Sequence, residues 1–518
     1  MDPEGEEAHP AACTAGRLKP RRNRSEGYFT KVVDSVHVRH YILCLMSIVE
    51  QLEAAGEVLT PAVREALTRL ETVAALVPVL EERIRELEIR LKLNSTNSSL
   101  PPSSDSSSVE RPPKKPTGKK RGGQKGHRGH HRQLIAADRV DEVLEHRPGQ
   151  CAHCGHSLSC AEEAKPAWVH QVVDLPSIRA VVTEHRVHCL RCLDCGKLTR
   201  ARLPAKVQGR CFGPGVVALA TLLNGRYRMS RRETVDLLGR LLDVPGPSLG
   251  STEAFAREAS RALEPTYREV REEVLRSEWA GVDETPWKLA GGKQWMWVAT
   301  ALRATLFHLG EGRGTEELRR FLGESFGGVI NSDRWCAYQM YARRQLCWAH
   351  LTRNFRKLAL RGGKAVLFAE EGEAICKRVF RLWWDLQAGK LDRAQLAEKI
   401  GPVRACLEHL LQEGAASSDK RVAGFCRNVL KLGPSLWTFV QEPVEPTNNA
   451  AERALRPAVL WRKGCFGSQS EHGLRYVERM LTFTTTCRQQ RLHPLDYLVQ
   501  AVSAIRAGVV IPALLPAH

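Results

Sequence analysis

The sequence has no long apolar run. No stretch approaches the ~20 residues that a membrane-spanning helix requires, and the apolar stretch from Ala507 to Ala517 is broken by Pro512 and Pro516. The chain begins Met-Asp-Pro-Glu-Gly-Glu-Glu, which is acidic and is not followed by the apolar core of a signal peptide. We therefore expect neither a membrane span nor a signal peptide.

A disulfide framework is also missing. Most of the sixteen cysteines are scattered singly along the chain. Isolated cysteines are typical of reduced thiols in a cytoplasm. We therefore expect a cytoplasmic protein.

One cluster of cysteines is the exception. It consists of two Cys-x-x-Cys knuckles, Cys151-Ala-His-Cys154-Gly and Cys192-Leu-Asp-Cys195-Gly. Four thiolates suit a tetrahedral structural Zn²⁺, and the glycine after each knuckle allows a tight turn around the metal. We expect a β-rich stretch, Trp168 to Val187, to join the knuckles. Unmetallated cysteines are the alternative, and three nearby donors could replace one ligand: Cys160, His188 and Cys189.

Positive charge is in excess and is clustered. The chain has 77 Lys and Arg against 58 Asp and Glu, for a net charge of +19. A polyanion, nucleic acid above all, is the expected partner. Nine Lys or Arg fall within residues 111–132 among glycines, prolines and histidines. Such an arm can follow phosphates without reading sequence, although a solvated basic linker has the same composition. Its central residues are Lys114, Lys115, Lys119, Lys120, Arg121, Lys125 and Arg128.

The N-terminal half divides by composition. A length of 518 residues favours three to four domains at roughly 150 residues each. A heptad pattern predicts a helix that either dimerises as a coiled coil or packs on its own protein, and Pro78 interrupts that pattern. The predicted segments are a weakly ordered tail (1–62), the coiled-coil helix (63–93), a polar and basic linker (94–135) and the zinc-binding module (136–205).

Residues 210–275 have the pattern of helices. Ser230-Arg-Arg-Glu233 is a capping box, and Pro245-Gly-Pro247 ends the helix that it opens. A second helix is predicted to begin near Ser251. The pair is either a helix-turn-helix or a plain helical hairpin.

From Glu278 the spacing of apolar residues changes from the helical period to the alternation that is typical of strands. The pattern predicts strands over Trp279–Leu289, Gln294–Ala301 and Leu302–Leu309, a hairpin turn at Gly291-Gly292, a helix over Thr315–Phe326, and strands over Gly328–Ser332 and Gln345–Ala349. Three antiparallel strands, a helix and two further strands are the order of a ribonuclease-H-like α/β core. We assign that catalytic core to 276–356 and 441–490, a helical insertion to 357–440 and a C-terminal helix and tail to 491–518. The predicted fold class is multidomain α+β.

Three acidic residues stand in positions that suit metal chemistry. Asp283 and Asp333 end predicted strands 50 residues apart, and Glu452 opens a predicted helix 119 residues after Asp333. Magnesium takes oxygen ligands, and paired ions can clamp the attacking and leaving oxygens of a phosphodiester. Each acid has an alternative. Asp283 and Asp333 could be turn residues or helix caps, Glu284 could be the true ligand, and Glu452 could pair with Arg456 at i+4.

These residues lie in segments that resemble the transposases of the insertion sequence 66 family, in the DDE superfamily. The resemblance covers about residue 80 to the C-terminus. Its motifs are Leu93-Asn-Ser-Thr-Asn-Ser-Ser-Leu-Pro-Pro-Ser-Ser-Asp105, Gly122-Gly-Gln-Lys-Gly-His-Arg-Gly-His130, both knuckles, Val282-Asp-Glu-Thr285, Ser332-Asp-Arg-Trp-Cys-Ala-Tyr338, Cys347-Trp-Ala-His350 and Asn448-Asn-Ala-Ala-Glu-Arg-Ala-Leu-Arg456.

The resemblance implies a function and a set of roles. Asp283, Asp333 and Glu452 would be the catalytic triad, using Mg²⁺ or Mn²⁺, and Zn²⁺ would hold the knuckles. Cys347 and His350 would support the site, contact DNA or form a buried structural pair, and Arg462 and Lys463 would contact phosphate. The implied partners are double-stranded DNA at element ends and target, a second copy of the chain, and small accessory proteins of the same element, on a bacterial nucleoid.

The sequence therefore predicts a DDE transposase that cuts DNA and joins strands. Two alternatives stay open. One is a zinc-ribbon DNA-binding regulator whose core is inactive, and the other is a nuclease of the same fold that does not join ends.

Overall fold

The structure is a computed structural model that describes residues 60–98, 105, 132–158, 168–176, 178–204 and 207–516. Its compact units are Met1–Leu93 and Asn94–His518. The predicted tail and the basic arm at 111–131 lie outside the described residues. Over the described ranges, no helix combines the length and apolar character that crossing a membrane would demand.

In the first unit, the described residues form one helix, α1 (Pro61–Leu91). Pro61 occupies the first turn, where its missing N–H costs nothing. The helix continues through Pro78, which interrupts the heptad pattern but not the helix. Much of the heptad seam is exposed, and the pairing of two such helices stays a prediction. Exposed seam residues are Val63, Leu70, Val73, Leu80, Ile84, Leu87 and Leu91.

The start of the second unit differs from the predicted linker. The Ser95 backbone N–H and hydroxyl both donate to the Asp105 carboxylate, each at 2.7 Å. The Asn94 side chain accepts from the Thr96 N–H at 2.8 Å. Short polar side chains that bond nearby backbone can build a turn without an apolar core.

The cysteine-rich segment contains one small antiparallel sheet, β1 (Cys189–Arg191) with β2 (Leu198–Arg200). The predicted β-rich stretch is wrong, because the described residues between Trp168 and Val187 form no strand. Val172 and Val181 are exposed there, so their alternation does not reflect a buried face. The strands instead flank the second knuckle.

Four helices precede the large sheet. The predicted capping box is present, since Ser230 accepts from the Glu233 N–H and Glu233 accepts from the Ser230 N–H. Leu238 and Phe255 share a hydrophobic core with sheet residues, so the segment packs on the sheet. The helix-turn-helix interpretation stays a prediction. The helices are α2 (Pro214–Gly225), α3 (Arg231–Leu242), α4 (Leu249–Ala262) and α5 (Glu264–Arg276).

A five-stranded sheet forms the centre of the unit, in the order β5-β4-β3-β6-β7. The first three strands are antiparallel, and β3–β6 and β6–β7 are parallel. This is the predicted element order. The elements are β3 (Trp279–Leu289), β4 (Gly292–Thr300), β5 (Thr305–Gly310), α6 (Thr315–Leu322), β6 (Val329–Ser332) and β7 (Arg344–Leu346).

Two predicted boundaries in the sheet are wrong. The β3–β4 turn is Ala290-Gly291, whose φ angles are +47° and +85°, and Gly292 already belongs to β4. The last strand ends at Leu346, because Cys347 begins a helix that includes Trp348. The Trp348 N–H donates to the Pro446 carbonyl at 2.9 Å instead of joining the sheet.

Helices complete the unit, as predicted for the insertion. The insertion has its own core, which includes Phe355, Leu407 and Phe439, while the later helices cover the sheet. These helices are α7 (Trp348–Ala359), α8 (Lys364–Gln387), α9 (Arg393–Ala415), α10 (Lys420–Lys431), α11 (Thr438–Gln441), α12 (Asn449–Cys465), α13 (Glu471–Gln490) and α14 (Pro494–Ala507).

Candidate active site

Strand register sets Asp283 and Asp333 side by side. In the parallel β3–β6 ladder, Trp279 pairs with Val329 and Gly281 with Asn331, a constant offset of 50 residues. Asp283 and Asp333 have the same offset, 333 − 283 = 50, two residues beyond the last pair. Neighbouring strands lie about 4.8 Å apart. β3 continues past Asp283 to Leu289, whereas β6 ends at Ser332. Asp283, in the middle of β3, therefore lies beside Asp333 at the carboxyl end of β6.

A buried asparagine fixes the start of α12 beside these strands. The Asn448 side chain donates to the Val282 carbonyl at 2.8 Å, next to Asp283. A Cβ at Gly281 would come within 2.9 Å of Asn448 Oδ1 and 3.6 Å of the Ala451 side chain. The close approach thus requires glycine at position 281. It places Glu452, in the first turn of α12, next to the strand that carries Asp283.

The chain entering α12 is also tied to β6. The Asn331 side chain donates to the Glu445 carbonyl at 2.7 Å and to the Thr447 carbonyl at 3.0 Å. Asn331 is 2% exposed, and these bonds satisfy the buried nitrogen of its amide. The segment before Glu452 is therefore anchored on the two strands that carry the other acids.

The pKa values of both aspartates are raised. Burial raises the pKa of Asp283 well above its usual range, and the charges of Glu284, Asp333 and Glu452 raise it further. Burial also raises the pKa of Asp333, with a further contribution from Glu452. Each aspartate accepts one backbone N–H: Glu284 donates to Asp283 at 2.9 Å and Trp335 to Asp333 at 2.8 Å. The site therefore concentrates negative charge, and the two backbone hydrogen bonds to Asp283 and Asp333 compensate it only in part.

Glu284 differs from its neighbour Asp283. Arg313 donates to Glu284 Oε1 at 2.7 Å, and the Tyr338 hydroxyl donates to Glu284 Oε2. The Arg313 guanidinium also lies over the Trp335 ring, 4.1 Å from its centroid, and over the Trp295 ring at 5.0 Å. Glu284 is thus already compensated by a cation, which favours Asp283 as the acid available to a metal.

Glu452 makes its ion pair with another helix. Arg353 of α7 donates to Glu452 Oε1 at 2.9 Å, and the structure records no pair between Glu452 and Arg456. The i+4 alternative is therefore not what holds this side chain. Within the described part of the chain, the ligand atoms of Asp283, Asp333 and Glu452 do not all lie within 4.8 Å of one another, whereas those of Cys347, His350 and Glu452 do.

Cys347 and His350 lie at the start of α7. Cys347 is the N-cap residue, its side chain is buried, and the Asn448 N–H donates to its sulfur at 3.2 Å. Burial raises the pKa of the Cys347 thiol to about 11. Burial, together with the charges of Arg353 and Arg334, lowers the pKa of His350 to about 3. Both groups are therefore neutral near pH 7.

The remaining predicted contacts fall in two places. Arg462 donates to the Thr285 hydroxyl at 3.2 Å and to the Pro286 carbonyl, so β3 occupies its guanidinium, and Lys463 is exposed on the last turn of α12. The predicted arm residues lie outside the described residues: Lys114, Lys115, Lys119, Lys120, Arg121, Lys125 and Arg128.

The two knuckles share one backbone geometry. The Cys151 N–H donates to the His156 carbonyl and the Gly155 N–H to the Cys151 carbonyl, both at 2.9 Å. The Cys192 knuckle repeats this pattern with Lys197 and Gly196, again at 2.9 Å. Both glycines have positive φ, +73° and +68°, as a tight turn requires.

Within each knuckle the thiols interact. Hydrogen bonds from the His153 and Cys154 backbone and from the Cys154 side chain lower the pKa of Cys151, and hydrogen bonds from the Cys195 and Asp194 backbone and from the Cys195 side chain lower that of Cys192. Among the described cysteines, the four thiols do not meet as one group within 4.8 Å. The zinc assignment stays a prediction.

Four residues at the site were not predicted. Asn448 lies inside a recognised motif. Arg353 lies three residues after His350, which ends another motif, so helical spacing from His350 could have indicated Arg353. Arg334, which donates to Asn354 on α7 at 2.5 Å, follows Asp333 directly. Arg313 follows Gly310-Glu-Gly, and no local pattern marks it as a partner of Glu284.

Comparisons with known proteins match two segments. Residues 250–476 match the family described as "Transposase IS66 family", and residues 50–133 match the "Family of unknown function (DUF6444)". The uncharacterized protein y4qI of Sinorhizobium fredii is 28% identical over 243 residues, which cover 42% of this chain and 44% of that protein. The uncharacterized protein y4hP of the same organism is 25% identical over 407 residues, 70% of this chain and 72% of that protein. The chain thus spans less than half of y4qI. No solved structure matches the chain.

Proposed function

We propose that this chain, whose residues 250–476 form a Transposase IS66 family domain, is a DDE transposase that cleaves DNA and joins the resulting 3′ ends to a target. One observation carries the proposal. The β3–β6 register sets Asp283 and Asp333 together at the edge where Asn448 anchors the helix of Glu452. All three acids lie inside the matched segment. The order and directions of the five strands are those of a ribonuclease-H-like core.

The acids fit a hard divalent cation. Asp283, Asp333 and Glu452 form an oxygen-only donor set, in which burial and neighbouring acids raise the pKa values of both aspartates. Oxygen donors suit Mg²⁺ and Mn²⁺. Asp283, Asp333 and Glu452 would hold the metal, which would supply activation of a water or a 3′-hydroxyl and charge stabilisation at the leaving oxygen.

The protein's own contribution is positioning and electrostatics. The sheet fixes two carboxylates, and Asn448 and Asn331 hold the start of α12 against it. Arg313 keeps Glu284 paired, so that the acid next to Asp283 does not compete for a cation. No covalent link between protein and DNA is required, and rate enhancement of this kind comes from orientation and preorganised charge.

The N-terminal segments would hold the DNA. The arm between residues 111 and 132 has the composition of a non-specific phosphate contact. The identical backbone geometry of the two knuckles supports a zinc-held module. The exposed apolar seam of α1 supports pairing with a second copy, as cutting two element ends would require.

Strand joining tests this function. A labelled element-end oligonucleotide with a free 3′-hydroxyl, a target plasmid and Mg²⁺ would be incubated with wild type, Asp333→Asn and Asp496→Asn. Asp496 is a control because its side chain is 70% exposed on α14. We expect joined product from wild type and Asp496→Asn only. Cleavage without joining would support the nuclease alternative, and zinc-dependent DNA binding without either reaction would support the regulator.

A further inference from the structure

The donors Cys347, His350 and Glu452 form a cluster beside the proposed catalytic edge. Their ligand atoms, one sulfur, one nitrogen and one oxygen, all lie within 4.8 Å of one another, and the described residues contain no second group of three such donors. We infer that this cluster binds a thiophilic divalent cation such as Zn²⁺, at a site that shares Glu452 with the proposed catalytic site but does not include Asp283, Asp333 or the two knuckles.

The backbone is arranged to receive a thiolate at Cys347. As the N-cap of α7, its sulfur lies where the first N–H groups of the helix point. The Asn448 N–H donates to the sulfur at 3.2 Å, and the backbone N–H groups of Asn448, His350 and Ala349 lower the pKa of Cys347 against the larger effect of burial. These are the groups that would stabilise negative charge on sulfur once a cation replaced the proton.

The imidazole of His350 offers a free ligand atom. His350 is the third residue of α7, so the helix turn brings its side chain beside that of the N-cap residue. Its Nδ1 is buried and has no hydrogen-bond partner, and the nearest carboxylate oxygen, Glu452 Oε1, is 3.6 Å away. A buried nitrogen without a partner is costly, and a metal bond would satisfy it.

Glu452 supplies the third ligand without leaving Arg353. A carboxylate has two oxygens and about four lone-pair sites, so it can accept from Arg353 at 2.9 Å and still bind a cation. The chain places Glu452 at the start of α12 and the other two donors at the start of α7. A bound ion would therefore link the two helix starts.

The donor set selects the kind of metal. Sulfur, imidazole and carboxylate ligands suit Zn²⁺ and related ions, whereas Mg²⁺ prefers oxygen. Three protein ligands leave one position of a tetrahedron for water or another group. On binding, the S–H bond of Cys347 breaks, its proton passes to solvent and a sulfur–metal bond forms, with no change of oxidation state.

Cobalt titration of the full-length chain tests the inference. Metal-depleted protein would be titrated with Co²⁺, and the thiolate-to-cobalt absorption and the bound equivalents per chain would be measured. We expect Cys347→Ser and His350→Gln each to lose one equivalent relative to wild type, while the equivalents held by the knuckles remain. Cys376→Ser, which removes a buried thiol of α8, is the matched control and should lose none.

Two further measurements keep the outcome clear. Circular dichroism would establish that each variant is folded. If Cys347→Ser is not folded, His350→Gln alone decides the outcome, because Glu452→Gln would also remove a ligand of the proposed catalytic ion. Equal cobalt stoichiometry in wild type and every folded variant would overturn the inference. Because the titration measures metal binding, equal cobalt stoichiometry would not contradict the proposed strand joining. Absence of strand joining would likewise not contradict cobalt binding at Cys347 and His350.

Discussion

Two halves of the candidate site are held in different ways. Asp283 and Asp333 are placed by the register of adjacent parallel strands, so backbone hydrogen bonds determine their separation. Glu452 is placed by side chains from distant parts of the chain, above all Asn448 on the Val282 carbonyl and Arg353 of α7. We call Asp283 and Asp333 the sheet half of the site and Glu452 the helix half. Substitutions in the sheet half should therefore change the rate of strand joining, and substitutions in the helix half should also change the packing of α12 on the sheet.

The largest expected effect is on the sheet half. Asp283→Asn removes a proposed metal ligand and keeps the side-chain shape, so we expect strand joining to fall roughly 10³-fold, the scale of losing one preorganised electrostatic group. Because burial and three neighbouring acids disfavour the Asp283 charge, the free energy of unfolding without metal should not decrease. Joining rates and urea unfolding of the same preparation measure both.

Glu284→Gln is the control for that prediction. Glu284 is compensated by Arg313 and Tyr338, so its substitution should lower the free energy of unfolding more than Asp283→Asn does. The reverse order, with Glu284→Gln stable and inactive and Asp283→Asn active, would transfer the metal-ligand role to Glu284.

A smaller effect is expected where the helix layer meets the far edge of the sheet. His308 of β5 lies 2.8 Å from Glu317 of α6 and 3.3 Å from Glu478 of α13. Burial lowers the pKa of His308, but the hydrogen bonds and charges of both glutamates outweigh it, so that the net shift from 6.5 is upward. His308→Gln would remove the cation that two buried carboxylates share, although Glu478 keeps Arg475 at 2.6 Å and Glu317 keeps Arg320 at 3.7 Å. It should cost about 2 kcal/mol of unfolding free energy.

The pH dependence of this cluster has a definite sign. A raised folded-state pKa means that the stabilising contribution of His308 is fully present below about pH 6.5, the unfolded value, and is lost as pH rises through the folded value. Unfolding free energies of wild type and His308→Gln, measured from pH 6 upward, should therefore converge. A difference that grows with pH would contradict the charged-imidazole interpretation.

Gly281→Ala tests the helix half directly. The added methyl group would meet Asn448 Oδ1 at 2.9 Å, and relieving that contact must shift the start of α12. We expect a cost of roughly 1–3 kcal/mol, as for an overpacked core, together with reduced joining. Gly401→Ala is the matched control, because position 401 lies within α9 with nothing within 4 Å, and it should be neutral or slightly stabilising. Equal stability of both variants would mean that α12 does not depend on this contact.

The smallest expected effect is that of Arg353→Gln. This change removes the ion-pair partner of Glu452, which leaves the carboxylate more available to a cation. We expect the Mg²⁺ concentration for half-maximal joining to fall by a few-fold, since one charged contact is worth roughly 1 kcal/mol when partly exposed. A higher Mg²⁺ requirement would instead mean that Arg353 holds Glu452 in its working position.

Sequence spacing predicted the positions of Asp283 and Asp333, and the resemblance of several motifs predicted the family. The alternation of apolar residues gave the strand order, and the shared offset of 50 residues between strands and acids is readable directly from the chain. The family resemblance is confirmed over residues 250–476. The two boundary errors, at Ala290 and Trp348, arise because turn conformation and a bond to Pro446 override local propensity.

The helix half could not be predicted in the same way. Asn448 reaches Val282 across 166 residues and Arg353 reaches Glu452 across 99, and no local period encodes such contacts. Ser95 donates to Asp105, ten residues away, within the polar segment that was predicted as a linker, and no apolar pattern encodes those bonds. Exposed alternation around Val181 led to an error, a predicted β-rich stretch where the described residues form no strand.

The central claim is that Asp283 and Asp333 bind the divalent cation that supports strand joining. The most direct measurement compares wild type with Asp333→Cys in Mg²⁺ and in Mn²⁺, because a sulfur ligand disfavours Mg²⁺ more than Mn²⁺. The account predicts that wild type joins DNA ends with either ion, and that the variant is inactive in Mg²⁺ and regains measurable joining in Mn²⁺. Joining by Asp333→Cys at the wild-type rate in Mg²⁺ would contradict it.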